Sequence, residues 1–439
     1  MTFKEGLIKA RSHIIFIIGL IVGFSIVITL SKWDIEKEIR EKAMVKIEKT
    51  ADINPAPSSS LTDKEKKWAK VAWKYFEINY IPETGMVNSV DKYKASTMWD
   101  TASYMIALIS AKRLGIIDDT KFDLRLSKLL DTLGRIPLFD NALPNKSYNT
   151  ITLDMVDYNN KKTKRGIGWS AIDIGRLLVP FNIIVWNYPS YSKKIARILK
   201  RWQFDKMVKD GQLFGAGVDS KGKTVYLQEG RLGYEEYGAK SLLLMGYDLS
   251  VAMNYKDFLS YVDIYGIKVP YDSRSPEKYH AHNYVVSEPY ILDGIEFGWD
   301  LISKEFAYRV YKAQEERFKH TGILTAVSED NIDRAPYFVY NTLFTDGKPW
   351  NCITATGENA SEFRSISTKA VFGWYVLYRT EYTKKLIDKI EKLFDPKRGW
   401  YSGLYEKDKK PNKAITCNTN GIILESLCYK NYGKHVNIY

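Results

Sequence analysis

The 439-residue sequence predicts an all-α protein: a closed ring of six helical hairpins behind one N-terminal apolar helix. Three observations carry this. One uncharged apolar run stands near the start, a single helix-opening pattern recurs along the rest of the chain, and a strongly apolar segment follows each recurrence, alternating with charged amphipathic ones. Composition agrees, since 45% hydrophobic and 14% aromatic residues are enough for a large core and exclude disorder as the main state. The formal charge of +13 is spread among interleaved acids. No basic block marks a nucleic-acid partner, and a mildly cationic surface suits an acidic polysaccharide or an anionic membrane. Three cysteines, Cys352, Cys417 and Cys428, without a CxxC pair, allow one bridge at most and exclude a disulfide framework.

The run from Ile14 to Leu30 has no charged residue, and about 17 to 25 apolar residues cross a bilayer core. Lys4, Lys9 and Arg11 precede it against Glu5 alone; this charge bias places residues 1–13 in the cytoplasm and the bulk of the chain outside, periplasmic or extracellular. Ser31-Lys32-Trp33-Asp34 offers no small-x-small cleavage site, so residues 14–30 read as an uncleaved transmembrane anchor. Residues 31–61 follow as a charged stalk and a flexible linker, stopped by Asn54-Pro55-Ala56-Pro57-Ser58-Ser59-Ser60. The globular part begins at residue 62.

Within 62–439 the recurring pattern is a small or hydroxyl residue, two residues, a polar residue, one residue, and a small residue. It appears at Thr97-Met-Trp-Asp100-Thr-Ala102, Ser170-Ala-Ile-Asp173-Ile-Gly175, Gly233-Tyr-Glu-Glu236-Tyr-Gly238, Ser365-Ile-Ser-Thr368-Lys-Ala370 and Thr416-Cys-Asn-Thr419-Asn-Gly421. Ser or Thr followed three residues later by a carboxylate is a capping box, and the trailing small residue lets a neighbouring helix approach closely. The apolar segments that follow, such as Tyr104 to Leu114 and Val371 to Leu377, read as buried inner helices. Trp68 to Tyr80, Phe122 to Leu133, Tyr191 to Val208, Ile302 to Phe318 and Tyr382 to Phe394 read as amphipathic outer ones. Phe258 to Trp299 is the irregular member, with a sixth inner helix opening near Pro289. Six repeats of roughly 60 residues suit a closed ring, because closure buries the end repeats without caps. The outer-to-inner connections are long, and strands are expected at Gly266–Pro270 and Gly322–Ala326. Such loops on a rigid scaffold are where binding and chemistry concentrate.

The hairpins resemble the (α/α)6 toroid of glucoamylases and related glycan-active enzymes. Thr97-Met-Trp-Asp-Thr-Ala-Ser103, Glu229-Gly-Arg-Leu-Gly-Tyr-Glu-Glu-Tyr237, Ser287-Glu-Pro-Tyr290 and Ala326-Val-Ser-Glu-Asp-Asn-Ile-Asp-Arg-Ala-Pro-Tyr-Phe-Val-Tyr340 resemble a bacterial envelope family of unassigned function, similar to glucoamylase-like proteins and often encoded beside exopolysaccharide genes. The resemblance spans nearly all of 62–439. It implies a toroid acting on an envelope or secreted polysaccharide or oligosaccharide, with polysaccharide synthesis or export machinery as a further partner.

Glycosidic cleavage needs a carboxylic acid to protonate the leaving oxygen and a carboxylate to activate water or attack the sugar. The catalytic candidates are the loop-face acids Asp100, Glu229, Glu236, Glu329 and Asp330, with Glu229 or Glu236 as donor and Asp100, Glu329 or Asp330 as base. Trp99, Arg231, Glu288, Tyr290, Arg334, Tyr337 and Trp350 are the substrate-binding candidates. Asp173, between two isoleucines, reads as structural, and Glu358 as a solvated loop acid. Clustered Glu329, Asp330 and Asp333 admit a calcium site as rival, and His280-Ala-His282 is a weak metal signal without a third ligand. No P-loop, GxSxG, Rossmann fingerprint or HExxH occurs, so no cofactor and no metal are expected. Two other readings stand beside the hydrolase. One is a non-catalytic glycan-binding protein; the other is a polysaccharide lyase drawing on Tyr284, His280, His282 and Arg274.

Overall fold

The computed structural model describes residues 11–32, 47–50, 53–279 and 282–438. The chain divides into Met1–Glu48 and Lys49–Tyr439. In the first unit the apolar run is helical, α1 (Arg11–Lys32). Counting only the described residues, no helix is long and apolar enough to cross a membrane, so the membrane reading rests on the sequence of the run. Most of the expected stalk, residues 33–46, lies outside the described residues, as do residues 1–10.

The second unit begins earlier than residue 62. Residues 53–60 are extended and fastened to the ring: Ala56 N donates to Leu377 O at 2.7 Å, Ser59 N to Lys430 O at 2.7 Å, and Arg379 Nη1 to Ser59 Oγ at 2.7 Å. The expected flexible linker is therefore held. Its Pro-broken backbone has no partners of its own, and the last turns of two helices offer carbonyls without intrahelical partners.

Thr62 starts the first outer helix, as its hydroxyl and Glu65 form the capping box. Outer helices α2 (Asp63–Ile78), α4 (Asp119–Leu133), α6 (Ser192–Leu199), α9 (Leu301–Thr321) and α11 (Glu381–Ile390) alternate with inner helices α3 (Met98–Arg113), α5 (Ala171–Asn187), α7 (Tyr234–Leu244), α8 (Glu288–Leu292), α10 (Thr368–Tyr378) and α12 (Cys417–Tyr432). Each inner helix packs against the next, and α12 returns to α3, which closes the ring. This is the helix-rich, glucoamylase-like fold expected. The order follows from patterning: α3 and α12 bury residues on all sides, whereas α2, α4 and α11 bury one face.

The fourth outer position holds a β-hairpin, Leu259–Ile264 with Ile267–Asp272, which packs on α9; the strand expected at Gly266–Pro270 is present as Ile267–Asp272, following Gly266 (φ +79°) at the turn. Two details differ from expectation. Residues 322–328 are not a strand, and pairing begins at Glu329. The fifth inner helix is capped at Ser367 rather than opened at Ser365, because Ser365–Ser367 is a strand paired with Gly403–Tyr405.

Helix approach depends on the small residues that the repeat places after each cap. A Cβ on Gly175 would lie 2.4 Å from Gly238 O, one inner helix against the next. Gly175→Ala is expected to destabilise the ring by about 1–3 kcal/mol, the usual cost of overpacking, read as a lower denaturant midpoint with an unchanged slope.

Candidate active site

The site grows from the caps. Thr97 Oγ1 accepts from Asp100 N at 3.0 Å and donates to Asp100 Oδ2 at 2.7 Å, and Ser170 Oγ repeats this with Asp173 at 3.1 and 3.0 Å. Because α3 and α5 are neighbours, the same cap sets one carboxylate in the first turn of each of two adjoining helices. Glu229, just past strand Thr224–Gln228, joins them, its Oε2 accepting from Ala171 N at 2.6 Å in the first turn of α5. A Cβ on Gly215 would lie 2.4 Å from that oxygen, so glycine there makes room for Glu229. Burial and the charge of Glu229 lift Asp173 to about 7, and burial also raises Glu229 and Asp100. Two like carboxylates in a shared desolvated place do not both ionise readily near neutrality.

A second group of acids surrounds Lys369 on α10. Lys369 Nζ pairs with Glu288 Oε2 and stands 3.7 Å from Asp330 Oδ1. Glu288 also accepts from Trp99 Nε1 at 3.1 Å and from Asn418 Nδ2 at 2.9 and 3.2 Å. Asp330 is 2% exposed, and its Oδ2 has no hydrogen bond of good geometry. Burial lifts it to about 7 against the opposing charge of Lys369. Burial also raises Glu329, whose side chain accepts from Ser328 Oγ at 3.3 Å. The two groups communicate: the charge of Asp100 adds to the rise of Asp173, and Glu288 and Lys369 both act on Asp100.

The other candidates lie elsewhere. Glu236 Oε2 accepts from Gly233 N at 2.7 Å, which caps its own helix, and the side chain faces a small cavity lined by Tyr255, Phe258 and Ala252. Its pKa is raised well above the carboxylate range by burial and by Glu235. Arg231 is 5% exposed and donates to Gln228 Oε1 at 3.0 Å and Tyr279 O at 3.1 Å, so its polar groups serve the loop. Tyr290 is buried. Arg334 pairs with Asp333 and lies over the Tyr405 ring. Tyr337 is exposed, and Trp350 sits beneath the Arg317 guanidinium beside Tyr265. Asp333, held by Tyr405 Oη at 2.7 Å and Lys413 N at 2.9 Å, is committed to its own loop. Among the described residues no group of three His, Cys, Asp or Glu is arranged to hold a metal. His282 pairs with Asp346 at 2.7 Å, and His280 lies outside the described residues. Burial pushes Tyr284, stacked on Tyr340 at 3.7 Å, up to about 12, which makes it a reluctant lyase base.

Sequence reasoning missed Lys369, Asn418 and the raised pKa of Asp173. Lys369 left a trace, a lone cation in the apolar stretch Ile366 to Leu377, and Asn418 sits inside a quoted repeat.

The raised acids also govern stability. Asp173, Glu235, Glu296 and Asp330 all stand at about 7 because of burial, so each binds its proton more tightly folded than unfolded. That contribution is fully present below the ordinary carboxylate range and is lost as pH rises through about 7. The acids held low despite burial, among them Glu65 beside Lys430 and Glu406 beside Arg317, lose theirs only below about pH 4.5. The unfolding midpoint is expected to be higher at pH 6 than at pH 8, a comparison that a thermal melt at both values checks.

The fold is shared with glycan-active proteins at low identity. A putative glucoamylase from Bacteroides caccae superposes with a TM-score of 0.60 at 12% identity, covering 84% of this chain and 93% of that one. The endo-β-1,2-glucanase from Chitinophaga pinensis, in complex with sophorotriose and glucose, gives 0.58 at 12% identity, with 85% and 94% covered. Glucoamylase from Saccharomycopsis fibuligera gives 0.52 at 9% identity, with 88% and 98% covered. A comparison with curated sequences finds no match. The sequence itself matches a family profile over residues 67–433, almost the whole ring, and the chain therefore belongs to DUF3131, a protein family of unknown function.

Proposed function

We propose that the chain is a glycoside hydrolase acting on an envelope or secreted polysaccharide or its oligosaccharides. The observation that carries the reading is the pairing of Asp173 with Glu229 beside Asp100 on adjacent inner-helix N-termini. Burial raises all three carboxyls, Asp173 to about 7, which favours holding a proton among them, and glycosidic cleavage needs one protonated and one ionised carboxyl. The Asp173/Glu229 pair supplies the proton donor, and Asp100 is the water-activating or attacking carboxylate. Glu329 and Asp330 are the alternative base. Similar folds in an endo-β-1,2-glucanase bound to sophorotriose and glucose and in another β-1,2-glucanase support sugars as the ligand class.

The reading is tested by incubating the purified protein with a panel that includes β-1,2-glucan, other β-glucans, α-glucans and the polymer made by any neighbouring exopolysaccharide genes, and following reducing ends. Release from at least one polymer is expected. Binding without release from all of them would favour the glycan-binding alternative, and an ultraviolet-absorbing unsaturated product would favour a lyase.

The same proposal places the ring outside the cytoplasmic membrane, tethered by α1. What supports it is the sequence of the run Ile14 to Leu30, which carries no charged residue and follows Lys4, Lys9 and Arg11. A reporter active only outside the cytoplasm, fused after Ser60, is expected to be active; activity of a cytoplasm-only reporter there would reject the topology.

A further inference from the structure

All six inner helices contribute to one buried polar network on the ring axis, and it ends at the acids described above. Arg176 on α5 is fully buried. Its Nη1 donates to Glu296 Oε1 at 2.9 Å, just past α8, and to Tyr237 Oη of α7 at 2.8 Å. Its Nη2 reaches Glu425 Oε1 of α12 at 3.4 Å and Ser103 Oγ of α3 at 3.3 Å. Ser103 Oγ stands 3.2 Å from both Asn418 Oδ1 and Trp99 O and shares its one proton between them, and Asn418 Nδ2 donates to both oxygens of Glu288. Glu288 then holds Lys369 of α10, beside Asp330. A second branch is shorter: the Trp99 ring lies 4.8 Å from the Arg176 guanidinium, and its Nε1 donates to Glu288 at 3.1 Å.

An ionic network at the centre of a core is costly, and well-packed apolar residues would be no less stable there. What such residues could not do is fix the direction of Glu288, which is 1% exposed and enclosed by Trp99, Asn418 and Lys369. With those partners occupied, Glu288 is not available as a sugar ligand. Asp330, near Lys369 and Ser367 and with no well-formed hydrogen bond at Oδ2, is the end of the network.

We propose that Arg176 and Glu288 are positioning residues of the site, which through Ser103 and Asn418 fix Lys369 beside Asp330 and hold the Trp99 indole between the Arg176 guanidinium and Glu288. The kinetic consequence rests on the glycan-cleaving reading; the geometric one does not.

The test uses the full chain in detergent with 15N-labelled tryptophan, the Trp99 indole resonance being identified by its loss in Trp99→Phe. Ser103→Ala removes the hydroxyl that joins Arg176 to Asn418, together with its contact to Trp99 O, while keeping the Cβ that packs near Gly421; Asn418→Ala leaves the Trp99 O contact in place and isolates the bond to Glu288. The Trp99 indole N–H is expected to shift upfield in Ser103→Ala and in Asn418→Ala, as its bond to Glu288 loosens. On any glycan the wild type cleaves, Ser103→Ala is expected to lower kcat about tenfold with KM changed less than about twofold, and Lys369→Arg to retain more turnover than Lys369→Met. An indole resonance that stays in place in folded Ser103→Ala overturns the proposal. A wild type that cleaves no glycan contradicts the hydrolase reading alone, and the resonance shift still decides the positioning claim.

Discussion

Glu229→Gln is expected to lower turnover of a susceptible glycan by about 10²–10⁴-fold, the usual worth of a positioned proton donor, with sugar binding retained. The amide oxygen can still accept from Ala171 N, whose bond to Glu229 Oε2 is 2.6 Å, so the start of α5 should remain capped and the unfolding midpoint close to wild type. Asp173→Asn should cost a similar factor, and the double variant little more, because members of one proton-sharing pair are not additive. The pH profile separates this from damage to the fold. Wild-type activity should decline above about pH 7, as the pair whose Asp173 stands at about 7 gives up its proton. In Asp173→Asn the like charge is gone, so any residual activity should decline at lower pH than in the wild type. Full activity in both single variants would move the chemistry to Glu329 and Asp330.

The largest effect on stability is expected from Arg176→Met. Arg176, Glu296 and Glu425 are all 0% exposed at their side chains, and removing the cation leaves two carboxyl groups in the core without their shared partner. Breaking a buried ion pair from one side typically costs about 3–5 kcal/mol, which urea denaturation would register as a lower midpoint. The deficit should shrink as pH falls below 7. Burial already raises Glu296 to about 7 and Glu425 further, so protonation removes the charges that the missing guanidinium no longer balances. A deficit that is constant from pH 8 to pH 5.5 would mean that packing, not charge, is the cause.

The ring was legible in the sequence because its repeat is written in local chemistry. Thr97, Ser170 and Thr416 cap their helices as the pattern implies, and Gly175 and Gly238 meet where the small residues foretell a close approach. The irregular member was only partly legible. The fourth inner helix is five residues long and runs on into a wider turn at Asp293–Phe297, and its outer partner is a hairpin, so neither leaves a helical period of ordinary length. At the site, sequence could show which acids stand near helix starts. It could not show that Glu236 turns back to cap Gly233 whereas Glu229 crosses to Ala171, because those partners are set by loop paths. Asp173 looked structural because it stands between two isoleucines, and the structure adds the charge of Glu229 acting on it from 56 positions further along the chain. The axial network was invisible for the same reason: Arg176, Glu296 and Glu425 come from three repeats, and each looks like an ordinary polar residue within its own helix.

The most direct measurement is a crystal structure of Glu229→Gln in complex with an oligosaccharide that the wild type cleaves. The account predicts a glycosidic oxygen within hydrogen-bond reach of the residue 229 side chain or Asp173, with the Asp100 carboxylate on the far side of the same sugar ring. Sugar bound away from the N-termini of α3 and α5, or stacked on the ring with no carboxylate at its glycosidic oxygen, would contradict it.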